Sequence, residues 1–87
     1  MQPKQLFLTI RNREQLIYKG EVKSLTSFND KGTFDILPSH ANFISLINDK
    51  VIIREIGGGK KEIKIDNAVM RVLGSQVNIF LGIRGSI

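Results

Sequence analysis

Hydrophobic and polar residues along this chain follow a period of two, the signature of half-buried β-strands. Leu6, Leu8 and Ile10 alternate with Phe7, Thr9 and Arg11 and predict an opening strand. Asn12-Arg13-Glu14-Gln15 reads as a polar turn, and Leu16-Ile17-Tyr18 as a short second strand stopped by Lys19-Gly20. From Glu21 to Phe28 the pattern is strand-like but out of phase, since Val22 and Phe28 share one parity and Leu25 has the other. A β-bulge near Ser24 would reconcile them. Asn29-Asp30-Lys31-Gly32 predicts a tight turn with Gly32 at positive φ. Thr33 to Ile36 is a short strand, and Pro38, which lacks an amide donor, should end it or hold it at an edge.

Ala41 to Ile47 reads two ways. Phe43, Ile44 and Ile47 have helical spacing and Ser39 could cap a helix, whereas the β-branched content argues for a strand. Asn48-Asp49-Lys50 is an expected turn. Val51–Ile56 and Lys61–Ile65 flank Gly57-Gly58-Gly59-Lys60 as a β-hairpin, with Ile63 and Ile65 inward and Glu62, Lys64 and Asp66 facing water. Asp66-Asn67 is a further expected turn. Ala68, Met70 and Val72, a turn at Gly74-Ser75, and Val77, Ile79 and Leu81 complete the alternation. Short strands at this spacing predict an all-β sandwich or barrel.

The length of 87 residues fits one domain. Such a chain buries roughly 60–65% of the surface its unfolded form exposes, which supports one modest core and no large internal ligand cavity. With no cysteine, the core relies on packing alone, and the composition fits a reducing compartment. No apolar run behind the N-terminus suits a signal peptide, and none approaches the roughly 20 residues of a membrane span. A soluble protein, attached to membranes only through partners, is the expectation. The net charge of +5, from 13 Lys and Arg against 8 Asp and Glu, raises the alternative of a free-standing basic β-barrel that binds nucleic acid. The basic residues are scattered, however. Arg11, Arg13, Lys19, Lys23, Lys60, Lys61 and Lys64 stand near acids such as Glu14, Glu21 and Glu62, as on a solvated surface. Stacking platforms for bases are also scarce, with Tyr18, Phe7 and Phe80 as the candidates.

Catalytic chemistry finds little support. The single histidine, His40, has no cysteine partner for a zinc site. Ser39 and His40 are adjacent, so in extended chain their side chains point to opposite faces and cannot converge as nucleophile and base with Asp35. Gly57-Gly58-Gly59-Lys60-Lys61 fails as a phosphate loop. Arg54 stands where the first glycine is needed and Lys61 where Ser or Thr is needed. No carboxylate pair stands out for acid–base work. The expectation is a non-catalytic protein with no cofactor and no metal.

One segment is specific. Gly32-Thr33-Phe34-Asp35-Ile36-Leu37-Pro38-Ser39-His40-Ala41 resembles the Ile-[Leu/Tyr]-Pro-Gly-His-Ala motif of the F-type ATP synthase epsilon subunit family. The likeness continues through Tyr18-Lys19-Gly20-Glu21-Val22, Val51-Ile52-Ile53, Val69-Met70-Arg71-Val72 with Gln76-Val77-Asn78-Ile79, and Ile83-Arg84-Gly85. It covers nearly the whole chain. Asp35, Ser39, Asn67 and Ala68 replace family glycines and Asn42 replaces a proline, as in a divergent member. Where a glycine had served positive φ, Asp and Asn tolerate it best.

The resemblance implies a single domain over residues 1–87, a flattened sandwich or barrel of about ten mostly antiparallel strands. It implies a non-catalytic part of the central stalk that binds the gamma subunit and the c-ring and couples ion flow to ATP synthesis. The place implied is the cytoplasmic face of the bacterial inner membrane, peripheral and held through the complex. Asn29, Asp30, Lys31, Gly32 and Thr33 are expected at the c-ring interface. Asn12, Ser39, His40, Ala41 and Ser45 are expected toward gamma. His40 has two compatible roles, a hydrogen bond within the turn after Pro38 and a contact with a partner. The family's two C-terminal helices, which carry nucleotide sensing and inhibition of ATP hydrolysis, would begin where this chain stops. The resemblance therefore implies coupling and assembly without that inhibition.

Overall fold

The computed structural model describes residues 5–38 and 42–82. Six strands account for most of them: β1 (Leu6–Arg11), β2 (Leu16–Asn29), β3 (Gly32–Ile36), β4 (Asn42–Glu55), β5 (Lys60–Leu73) and β6 (Gln76–Leu81). The sheet order is β1-β6-β5-β4-β2-β3, and a further pairing of β1 with β2 closes the first five strands into a barrel. β3 lies outside the closure, hydrogen-bonded to β2. All pairings are antiparallel except β1 with β6. The all-β class expected from the alternation holds.

Among the described residues the strand count is six and not about ten, because strands run through places where turns were expected. Lys19 and Gly20 stay in the ladder opposite Thr9 and Leu8, so β2 is continuous over 14 residues. Asn48-Asp49-Lys50 and Asp66-Asn67 are not reversals either. They face each other across the β4–β5 ladder, where the register steps from Asn48 opposite Asn67 to Asp49 opposite Ile65. Asp66 is the extra residue, and Asp49 takes φ +73°. Polar residues thus mark a corner where two paired strands bend together, a job of β-bulges. On the other side of β4, Phe28 pairs with Asn48 and Thr26 with Ile52, so Ser27 alone spans Asp49, Lys50 and Val51. The fully buried Ser27 donates its hydroxyl to the Lys50 carbonyl at 3.0 Å, satisfying a backbone group that the bend frees.

The bulge expected near Ser24 is present, with Lys23 the unmatched residue between Val22 opposite Glu55 and Ser24 opposite Arg54. It brings both Val22 and Leu25 into the core, fully buried. The ambiguous segment is the first half of β4. Among the residues that resemble family glycines, Asp35, Asn67 and Ala68 take ordinary backbone geometry, and Asp49 is the one non-glycine at positive φ among the described residues. Asn42, in place of a proline, accepts the Gly74 amide on its Oδ1 at 2.8 Å and so ties β4 to the β5–β6 turn.

The core contains Leu6, Leu8 and Ile10 from β1, Val22 and Leu25 from β2, Ile36 from β3, Ile47, Val51 and Ile53 from β4, Ala68, Met70 and Val72 from β5, and Val77 and Ile79 from β6. These are the inward positions of the alternation, and Ile63 and Ile65 pack against them as expected. Burial of the Val, Leu, Ile and Met side chains among these, each contributing about 1.5–3 kcal/mol, is the main stabilising term.

Candidate interaction surface

The β2–β3 turn is fixed by Asn29. Its Oδ1 accepts the Lys31 amide at 2.9 Å, an Asx turn. Its Nδ2 donates to Ser45 Oγ on β4 at 3.3 Å. Gly32, at φ +119°, closes the turn in a region that L side chains rarely adopt. Asp30, Lys31, Gly32 and Thr33 are exposed, while Asn29 and Ser45 are half-buried. Between this turn and β4 lies an open groove of about 760 Å³, lined by Asn29, Asp30, Lys31, Phe34, Phe43, Ile44, Ser45 and Leu46 among others. Asn29, Asp30, Lys31 and Ser45 were expected to face partners, and the fold brings them to one groove.

The groove is also apolar, which the sequence reading missed. Ile44 and Leu46 are 67% and 70% exposed, and Phe43 is exposed beside them. Leu46 opens a row across the outer side of the sheet, opposite Val69, which pairs with Phe80, which pairs with Arg11, which pairs with Leu16. Phe80 and Leu16 are exposed as well. Inward positions of the same strands already fill the core, so these strands are apolar on both faces. Such a surface marks an interaction site. The signal was present in the sequence as consecutive apolar pairs, Phe43-Ile44 and Leu46-Ile47, which blurred helix against strand.

Asn12 is not part of the groove. Its Oδ1 accepts the amides of Glu14 and Gln15, each at 2.8 Å, so its side chain holds the β1–β2 turn. Ser39, His40 and Ala41 lie outside the described residues, as does the Ile83-Arg84-Gly85 match.

Away from the groove, Tyr18 donates its hydroxyl to Glu55 Oε2 at 3.1 Å. The Lys61 ammonium stands 3.7 Å from the same oxygen and 5.7 Å from the Tyr18 ring centroid. Burial raises the Tyr18 pKa above 10.0, and the hydrogen bond and negative charge of Glu55 push it the same way. Lys50 pairs with Glu62 at 3.7 Å. Two of the cations are thus answered by acids, and Tyr18 has a cation over its ring. Neither feature suits a base-stacking groove. Among the described residues no cluster of His, Asp and Glu could hold a metal ion, and no helix is long and apolar enough to cross a membrane.

The fold is that of a β-sandwich domain, and it presents an open, partly apolar groove beside the β2–β3 turn. Residues 5–82 match the sequence profile of the ATP synthase delta/epsilon chain β-sandwich domain, and the chain belongs to that family. It is similar to the ATP synthase epsilon chain of Nitratiruptor sp., with 46% identity over 57 residues, 66% of this chain and 44% of that protein. The epsilon chain of Leptospira borgpetersenii is 31% identical over 74 residues, 85% of this chain and 58% of that protein. The chain spans about half the length of these curated relatives. Among solved structures, a chain in the OSCP/F1/c-ring assembly of the Euglena gracilis mitochondrial ATP synthase superposes with a TM-score of 0.86 at 20% identity, covering 93% of this chain and 52% of that one. A chain in the central stalk/c-ring structure from Tetrahymena thermophila gives 0.71 at 10% identity, with 93% and 66% covered. The family is that of a non-catalytic ATP synthase subunit, and the fold of this chain is its fold.

Proposed function

We propose that this domain is a central-stalk element of an F-type ATP synthase that binds the gamma subunit and the c-ring, so that stalk and ring turn together and ion flow drives ATP synthesis. The observation that carries the reading is the groove where the Asn29-Asp30-Lys31 turn meets the exposed Phe43, Ile44 and Leu46 of β4. The turn presents one acid and one base to water, suited to the polar loops of a membrane ring. The row from Leu46 through Val69, Phe80 and Arg11 to Leu16, apolar but for Arg11, suits a partner that buries it, and stable contacts bury about 800 Å² per side. On this reading Asn29, Asp30, Lys31, Gly32 and Thr33 meet the c-ring. Ser45, with Ser39, His40 and Ala41, faces gamma, and Asn12 serves gamma through the turn it shapes. The domain then sits peripherally on the cytoplasmic face of a bacterial inner membrane, held through the complex.

The test is calorimetric titration of the folded domain with the cognate gamma subunit. Binding at micromolar concentration or tighter supports the role. A folded domain that fails to bind gamma at that concentration, yet binds oligonucleotides with steep salt dependence, would return the reading to a nucleic-acid barrel.

A further inference from the structure

Among the described residues β3 pairs with β2 alone, yet it carries Thr33 and continues directly from the turn at the groove. Besides the ladder it is held by Ile36, buried in the core, by Phe34 packed against that core, and by a chain of side-chain hydrogen bonds across three strands. Thr26, on β2, is directly opposite Asp35 of β3 and opposite Ile52 of β4. Its hydroxyl donates to Asp35 Oδ1 at 2.5 Å and accepts from Arg54 Nη1 at 2.8 Å. Arg54 reaches it from the diagonal position, two residues along β4 from Ile52. Asp35 and Arg54 are exposed residues, while Thr26 between them is buried. A hydroxyl that donates to a carboxylate and accepts from a guanidinium makes two charge-assisted bonds at once, stronger than neutral ones. We infer that Asp35, Thr26 and Arg54 act as a strap that positions β3, and with it the turn at residues 29–33, against the rest of the sheet. Asp35 and Arg54 are thus positioning residues; their bearing on partner binding rests on the stalk role proposed above.

Thr26→Val keeps the shape and β-branching while removing both bonds. Amide hydrogen exchange across residues 33–36 should then quicken by roughly tenfold relative to wild type, as an edge strand loses local protection. Exchange in β1 and β6 should stay within about twofold. Asp35→Ala combined with Arg54→Gln should exchange no faster than Thr26→Val, because all three changes cut one strap, and Asp35→Asn, which keeps an acceptor, should restore most protection. Unchanged exchange at residues 33–36 in Thr26→Val would overturn the inference. So would acceleration spread equally over β1 and β6, which marks a global loss of stability. Gamma titration separates the two readings. Local acceleration with weaker gamma binding supports both, whereas local acceleration in a domain whose wild type never binds gamma upholds the strap and defeats the stalk role.

Discussion

Asn29 and Ser45, from strands that meet at the groove, are joined by a hydrogen bond of 3.3 Å, and the other end of the Asn29 amide holds the Lys31 backbone at 2.9 Å. One side chain therefore sets both the shape of the turn and its place against β4. Asn29→Ala removes both bonds and should destabilise the domain by about 1 kcal/mol. Asn29→Asp keeps the acceptor for Lys31 and should cost less. Urea midpoints of the two variants check the order, and an Asn29→Asp variant as unstable as Asn29→Ala would show that the turn bond matters little.

Asp49 occupies the left-handed region at the corner of β4. Aspartate tolerates that geometry better than most residues, and β-branched residues tolerate it worst. Asp49→Val should cost about 1–3 kcal/mol, whereas Asp49→Gly should be neutral or stabilising. The ratio of midpoints in chemical denaturation decides. Equal effects for Val and Gly would mean that the bend does not depend on residue 49.

The corner also shows what the sequence could and could not reveal. Alternation identified the inward residues of β1, β5 and β6, because burial on one face imposes a period of two whatever the length of the strand. It could not tell a turn from a bend. Asn48-Asp49-Lys50 and Asp66-Asn67 are polar because they bulge, and the Ser27 hydroxyl that supports the bulge comes from β2, distant in sequence. The groove was half legible. The family motif pointed to Asn29, Asp30, Lys31 and Ser45, while the apolar half stayed hidden because Phe43-Ile44 and Leu46-Ile47 fit neither a one-faced strand nor a clean helix. Asn12, expected toward a partner, engages its Oδ1 in its own turn.

Tyr18 is the one tyrosine of the chain, in a protein with no tryptophan, so its ionisation can be followed alone by ultraviolet absorbance. Its folded-state pKa is raised above 10.0, chiefly by burial and then by Glu55. The sign follows by linkage. Well below pH 10.0 the phenol is protonated in both states and its contribution to stability is fully present. As pH rises past that value, the unfolded chain releases the proton more readily, so stability falls until the folded-state phenol has ionised too. Tyr18→Phe should abolish this alkaline loss while lowering stability at neutral pH through the missing bond to Glu55. A wild-type curve that stays parallel to that of Tyr18→Phe above pH 10.0 would refute the coupling.

Leu46 and Met70 provide the contrast that separates surface from core. Leu46 is 70% exposed and Met70 is fully buried, although the two strands that carry them are hydrogen-bonded neighbours. Leu46→Glu places a charge where water already reaches, so the unfolding free energy should change by no more than about 0.5 kcal/mol. On the proposed role it should weaken gamma binding by about tenfold or more, because a charge would be buried in the interface without a partner. Met70→Ala should instead cost about 2–5 kcal/mol, the loss of a packed side chain plus the cavity left behind. Any binding it retains should scale with the folded fraction. Paired measurements of urea unfolding and gamma titration distinguish the two. If Leu46→Glu binds gamma as tightly as wild type, the row from Leu46 to Leu16 is not the face that docks gamma.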